Sequence, residues 1–136
     1  MIVLYVDDDS DDREIFGAAI NTIIPGVRYN EFEAGQKIIE FLAKKKEKPD
    51  YIFIDINMPK MNGYECAQEI LSVYGVECSR IVMYSTTFSP PDIARFNKMG
   101  VHMLQKANTF DELLGNLRKL LAGTQSSSTA SIAQGG

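Results

Sequence analysis

Three short apolar runs constrain the fold of this 136-residue chain more than any other feature: Ile2-Val-Leu-Tyr-Val6, Tyr51-Ile-Phe-Ile54 and Ile81-Val-Met-Tyr84. Each is rich in β-branched or aromatic residues, and none alternates cleanly with polar ones. A strand with one face in water would alternate. These runs therefore read as strands covered on both faces, as in a parallel sheet flanked by helices. The helices lie between them. Ile15, Phe16, Ala19, Ile20 and Ile23 recur at helical spacing until Pro25-Gly26, Ile38, Ile39 and Leu42 mark a second helix, and Tyr64, Ala67, Leu71 and Tyr74 a third. Ile93 and Phe96 mark a fourth, closed by Gly100. Phe110, Leu113, Leu114, Leu117, Leu120 and Leu121 mark a fifth, with Asn108 or Thr109 as its N-cap. Val27 to Glu33, with edge-strand alternation, and Val101 to Gln105 complete the series. The alternation predicts an α/β fold, (βα)5: a doubly wound five-stranded parallel sheet with right-handed crossovers.

The length suits one domain. An apolar fraction of 45% is enough for one core, and 14 Lys+Arg against 18 Asp+Glu argue against nucleic acid or an anionic membrane as the main partner. The two cysteines, Cys66 and Cys78, are too few for a disulfide scaffold and lack metal-ligand spacing, which suits a reducing cytoplasm. The first apolar run has no basic residues before it and stops at an acidic cluster. No signal peptide is expected, and no run approaches membrane-spanning length. Lys44, Lys45, Lys46 and Lys48 read as a solvated turn. From Gly123 to Gly136 the composition shifts to Ser, Thr, Gly, Ala and Gln, so residues 1–122 are expected to form the domain and 123–136 a disordered tail.

In such a sheet, ligands bind outside the carboxyl ends of the strands, where the strand order reverses. Strand one is followed there by Asp7, Asp8 and Asp9, strand three by Asp55, Ile56 and Asn57, strand four by Ser85 and Thr86, and strand five by Lys106. If strands one and three are central neighbours, their carboxylates meet. Crowded carboxylates repel one another, and desolvation adds to the penalty. A hard divalent cation such as Mg²⁺ relieves it, taking a few carboxylates, carbonyls and waters, and can bridge to a phosphoryl oxygen. A lysine and a hydroxyl suit the remaining phosphoryl oxygens, and a carboxylate beside the metal is a competent nucleophile toward phosphorus. The inventory reads as a Mg²⁺-assisted aspartyl-phosphate site. Asp9, Asp11 and Asp12 read instead as capping or dipole-complementing residues of the first helix. His102, the only histidine, reads as structural.

The segments Val6-Asp7-Asp8, Asp55-Ile-Asn-Met-Pro59 with Asn62-Gly63, Met83-Tyr-Ser-Thr86 and Lys106, in this order, resemble the receiver domain of bacterial two-component response regulators over residues 1 to about 122. The resemblance implies a flavodoxin-like sheet of order 2-1-3-4-5 and a phosphoacceptor at Asp55. It implies Mg²⁺ held by Asp7, Asp8, Asp55 and the backbone carbonyl of Asn57. Ser85 is then the hydroxyl that follows the phosphoryl group, with Thr86 as the alternative by a one-residue slip of register, and Lys106 the lysine that contacts it. The implied phosphoryl donor is a sensor histidine kinase or a histidine phosphotransfer protein. The implied output is a switched protein-binding face from about Pro91 to Leu121, on a monomer or a phosphorylation-dependent dimer, with the downstream protein unidentified. Only 14 residues follow Ala122, so no effector domain is expected, nor any enzymatic activity beyond self-catalysed phosphotransfer and dephosphorylation.

Two positions depart from the family pattern. Proline usually follows the lysine across a cis peptide, but here Ala107 does, and a non-proline cis bond costs roughly 2.5–4 kcal/mol. The Lys106–Ala107 bond is thus either a strained cis peptide or a trans one in a rearranged loop. The family often places an aromatic residue three positions before the lysine; this chain has Met103. These departures keep open a receiver-like interaction module that works without phosphorylation. A phosphohydrolase would place an acid two residues after the nucleophile, where this chain has Asn57. A flavodoxin-like cofactor binder would need Gly, Ser and Thr after strand one rather than aspartates.

Overall fold

A computed structural model of the chain describes residues 1–126, with side chains to residue 123. Five parallel strands, β1 (Ile2–Val6), β2 (Arg28–Phe32), β3 (Tyr51–Asp55), β4 (Ile81–Ser85) and β5 (His102–Gln105), form one sheet in the order 2-1-3-4-5. They alternate with α1 (Ser10–Ile23), α2 (Gly35–Lys44), α3 (Gly63–Tyr74), α4 (Pro90–Met99) and α5 (Phe110–Ser126), and a 3-10 turn at Cys78–Arg80 leads into β4. This is the doubly wound order expected from the sequence.

The unbroken apolar runs are explained by the two layers they face. Every residue of β3 and β4 is buried, and successive side chains go to opposite sides of the sheet. Val3, Tyr5, Tyr51, Phe53, Val82, Tyr84 and Leu104 pack with Phe16, Ala19 and Ile20 of α1 and with Leu113, Leu117, Leu120 and Leu121 of α5. Leu4, Val6, Ile52, Ile54, Ile81, Met83 and Met103 pack on the other side with α2, α3 and Phe96 of α4. β2 is the edge strand on one flank and has no fully buried residue.

Local chemistry sets the helix ends. Asp9 caps α1, its carboxylate accepting from the backbone N–H groups of Asp11 and Asp12 at 2.9 and 3.3 Å. Asn62 with Glu65, and Ser89 with Asp92, close reciprocal capping boxes on α3 and α4. α4 ends at Gly100, whose φ of 77° favours glycine. Thr109 is the residue that caps α5, its Oγ1 accepting from Glu112 N–H at 3.1 Å.

Some apolar positions fall differently from their expected place. Ile15, Ile93 and Phe110 are 48%, 41% and 41% exposed, because the arc each helix buries is narrower than its apolar stripe. In α3 the buried positions are Gly63, Cys66, Ala67 and Ile70. Their i, i+3, i+4, i+7 spacing leaves Tyr64, Leu71 and Tyr74 half-buried on the flank. α5 also runs to Ser126, so Gly123 to Ser126 extend the last helix instead of starting the tail. The remainder of the expected tail, 127–136, lies outside the described residues.

One contact between α3 and β3 leaves no spare room. The Gly63 N–H donates to the Ile56 carbonyl at 2.8 Å. A Cβ on Gly63 would lie 2.3 Å from the Asp55 carbonyl oxygen and 2.8 Å from Ile56 Cα. Both neighbours are backbone, which cannot yield without moving the end of β3. Gly63→Ala is therefore expected to lower stability by about 1–3 kcal/mol, the usual range for overpacking. A urea denaturation midpoint that does not fall would show that the loop retreats freely.

Candidate functional site

At the carboxyl edge of the sheet, β1 runs into Asp7 and Asp8 and β3 ends at Asp55. The two strands are hydrogen-bonded neighbours with Val6 opposite Ile54, so consecutive strand ends deliver their acids to one place. Asp7, Asp8 and Asp55 each offer a carboxylate oxygen within 4.8 Å of the others. Asp7 and Asp55 are buried and Asp8 is exposed. The sequence-predicted trio is thus assembled, with an opening on the Asp8 side.

Lys106 holds the cluster from the far side. Its Nζ lies 2.8 Å from Asp7 Oδ2, 2.8 Å from Asp12 Oδ2 and 3.3 Å from Asp55 Oδ1. Among the described residues no peptide bond is cis, so the Lys106–Ala107 bond is trans, and the lysine still reaches the acids. Two hydrogen bonds fix its loop against β4: Lys106 N–H donates to the Ser85 carbonyl at 2.8 Å, and Gln105 Nε2 to the Thr86 carbonyl at 2.9 Å. Ser85 is buried at the end of β4 and Thr86 is exposed beside it. Asn57 is exposed in the loop after β3. Met103, at the position where an aromatic residue is common in the family, is buried in the cluster that contains Phe96.

The electrostatics follow from this crowding. Burial, then the charge of Asp7, pushes Asp55 up to about 6; Asp8 adds to the rise and Lys106 opposes it. For Lys106, burial favours the neutral amine. The hydrogen bonds to Asp12 and Asp7 and the charges of Asp55 and Asp7 outweigh that and raise its pKa. One ammonium among the four carboxylates of Asp7, Asp8, Asp12 and Asp55 leaves an excess of negative charge. A cluster of hard oxygen donors with that excess, open on one side, fits a divalent cation such as Mg²⁺.

Three contributors are absent from the sequence analysis in these roles. Asp12, read there as a helix-end residue, also pairs with Lys106; it lies in the first turn of α1, which the Asp9 cap sets beside the strand ends. Arg13 Nη1 donates to the Asp7 carbonyl at 2.7 Å, while its Nε pairs with Glu31 Oε1 at 3.0 Å. The Tyr5 hydroxyl donates to Asp7 Oδ2, a contact that two-residue strand spacing permits because residues 5 and 7 share a face. The other reactive side chains stand apart. Burial, with a contribution from Glu69, pushes the Cys66 thiol up to about 12, which makes it a poor nucleophile. His102 is buried at the opposite end of β5 from Lys106, and its pKa is lowered by burial.

The doubly wound parallel sheet, with an acid cluster and a lysine at its carboxyl edge, defines the class as the flavodoxin-like α/β proteins. Within it, the response regulator receiver domain model matches residues 3–118, and the chain belongs to that family. It is 39% identical over 69 residues, 51% of this chain, to the sensor histidine kinase CheAY of Helicobacter pylori. The chain spans 8% of that protein and between about a quarter and a half of the next curated relatives that it matches. Among solved structures it resembles the Vibrio cholerae chemotaxis protein CheY4, with 26% identity, a TM-score of 0.69 and coverage of 88% of this chain and 97% of that one. It also resembles the Mn²⁺-bound form of response regulator Rcp1 in fold, with 19% identity, a TM-score of 0.77 and coverage of 94% and 96%.

The raised Asp55 has a consequence for stability in metal-free protein. In the unfolded chain Asp55 ionises near 3.8, and in the folded chain near 6. The folded state therefore binds this proton more tightly, and the stability it contributes below pH 4 is lost as pH rises through about 6. Asp55→Asn removes that loss. With EDTA at pH 7 the variant is expected to be more stable than wild type by about 1–3 kcal/mol, with the gap closing below pH 4 and narrowing when Mg²⁺ is added. Equal thermal stability of the two proteins in EDTA at pH 7 would contradict this.

Proposed function

We propose that the chain is a phosphorylation-controlled signalling switch that accepts one phosphoryl group on Asp55 from a phosphohistidine. The donor is a sensor histidine kinase or a histidine phosphotransfer protein. The observation that carries this reading is the placement of Asp55, buried at the end of β3 with the carboxylates of Asp7 and Asp8 beside it and the Lys106 ammonium 3.3 Å away. The relationship to a sensor histidine kinase and the Mn²⁺ in the Rcp1 structure support it.

In this reading an Asp55 carboxylate oxygen attacks the phosphorus. The new P–O bond forms as the donor's P–N bond breaks, the electron pair leaves with the imidazole nitrogen, and an acyl phosphate remains on Asp55. Asp7, Asp8, Asp55 and the Asn57 carbonyl would hold Mg²⁺, which when bound would supply positive charge to offset that of the phosphoryl oxygens. Lys106 exchanges part of its contact with Asp7 and Asp12 for a phosphoryl oxygen, and the Ser85 hydroxyl donates to another. The product is one phosphoryl group per chain, released by hydrolysis, with no turnover of a separate substrate.

Output then depends on a surface whose conformations the two states weight differently. α4, β5 and α5, about Pro91 to Leu121, are proposed as the protein-binding face. Phe96 is the only fully buried residue of α4, so little packing opposes its movement, and Ile93 stands exposed on it. The proposed setting is the cytoplasm; among the described residues no helix is long and apolar enough to cross a membrane.

Intact-protein mass after incubation with acetyl phosphate tests the proposal. One Mg²⁺-dependent, hydroxylamine-labile adduct is expected on the wild type and none on Asp55→Asn; normal labelling of that variant would refute the site. Failure with acetyl phosphate and with a panel of phosphohistidine donors would favour a module that works without phosphorylation. Asp8→Ala is expected to weaken Mg²⁺ binding about tenfold or more, equivalent to about 1.4 kcal/mol. An unchanged titration would remove Asp8 from the metal site.

A further inference from the structure

We infer that Tyr5 is a positioning residue of the acid site: its buried hydroxyl, donating to Asp7 Oδ2, sets the carboxylate of Asp7 for a divalent cation. The inference rests on the Mg²⁺ reading above and assigns a role to a buried residue of β1 that acts through Asp7.

A phenol hydroxyl taken out of water without a partner is costly, and the same volume can be filled by phenylalanine without that penalty. Tyr5 is fully buried. Its hydroxyl has a partner in Asp7 Oδ2, directly above it on the same face of the strand. The ring has little freedom to leave. Its centroid lies 4.4 Å from that of Phe16 in α1 and 5.7 Å from that of Tyr84 in β4, the latter edge-on. Phe16 and Tyr84 in turn pack on Phe53. The aromatic cluster beneath the site therefore fixes where the hydroxyl points, and the hydroxyl fixes Asp7.

The other contacts of Asp7 define what Tyr5 adds. Oδ1 accepts from Asp9 N–H at 2.9 Å, and Oδ2 accepts from both Tyr5 and Lys106. Of these donors, the Asp9 amide belongs to the connection into α1, and Lys106 divides its ammonium among Asp7, Asp12 and Asp55. Tyr5 alone is anchored in the core and directed at a single acceptor. Partners of this kind orient ligating carboxylates, and their loss typically weakens metal binding 10–100-fold. When a cation draws charge from the Asp7 carboxylate, the hydrogen bond from Tyr5 weakens, so the phenol reports occupancy.

The chain contains six tyrosines and no tryptophan, which leaves the tyrosine absorption band open to measurement. Mg²⁺ is titrated into the full-length wild type and Tyr5→Phe by calorimetry and by ultraviolet difference spectroscopy, with melting temperatures taken in EDTA. The expected result is Mg²⁺ binding about tenfold weaker in Tyr5→Phe. A Mg²⁺-induced shift of the tyrosine band is expected in the wild type and is lost in a variant that remains folded in EDTA. Equal affinity in the two proteins, or the same band shift in Tyr5→Phe, would overturn the role of Tyr5 while leaving the metal reading intact. If Tyr5→Phe does not fold, the wild-type spectrum decides: Mg²⁺ binding without a tyrosine shift overturns the inference. A wild type that binds no Mg²⁺ would overturn both readings together.

Discussion

The organising constraint of this protein is the meeting of Asp7, Asp8 and Asp55 at the ends of two adjacent strands, with one ammonium to balance them. Isolated, such a cluster is unfavourable: Asp55 is raised by burial and by Asp7 before Lys106 offsets part of the rise. The fold tolerates it because Lys106 makes close contacts to Asp7, Asp12 and Asp55 from a loop tied to β4. The residual imbalance of charge is the chemically useful part. It leaves the site with an excess of negative charge, open on the Asp8 side, that suits a divalent cation.

The sheet serves this site in two ways. Its parallel strands deliver polar groups to a common edge, so residues far apart in sequence converge without any long loop. Its double burial makes the positions of those groups rigid. Val3, Tyr5, Phe53 and Tyr84 lock against α1 and α5 on one face, while Leu4, Ile54 and Met83 lock against the helices of the other. α4 contrasts with this rigidity. Its single fully buried side chain, Phe96, meets Tyr64 and Phe88 at ring-centroid distances of 6.3 and 6.4 Å, and Arg95 stacks over Tyr64 at 4.1 Å. The proposed switch draws on this contrast: a local change of charge at the acid site would shift the balance between conformations of the sparsely anchored helix.

Much of this was legible in the sequence because the governing signals are local. An apolar run without alternation, such as Tyr51 to Ile54, suits a strand covered on both faces, and the polar residues that follow it then lie at the sheet edge. That reasoning brings Asp7, Asp8, Asp9, Asp55, Asn57, Ser85, Thr86 and Lys106 to the edge, and the resemblance to receiver domains selects among them. It is weaker where a helix presents more apolar residues than the core can take: Ile15, Ile93 and Phe110 carry the right spacing but fall outside the buried arc. It also misreads α5, whose course to Ser126 crosses a stretch of small and polar residues with no apolar periodicity.

What sequence reasoning missed at the site shares one physical cause: each contact depends on how far a side chain reaches through space. Asp12 looks like an ordinary first-turn acid until the Asp9 cap sets the start of α1 beside Lys106. Arg13 looks like a surface charge until Glu31 on the edge strand holds its guanidinium against the Asp7 carbonyl. Tyr5 looks like one more core aromatic, and its hydroxyl acquires meaning only when the strand face it shares with Asp7 is known. The same logic explains why Ala107 in place of the family's usual proline does not displace the lysine. The placement of Lys106 is secured by backbone pairing to Ser85 and by the Gln105–Thr86 contact, and both act before the peptide bond that follows it. An acid site of this kind is therefore specified by its strand ends and tuned by the neighbours that reach them.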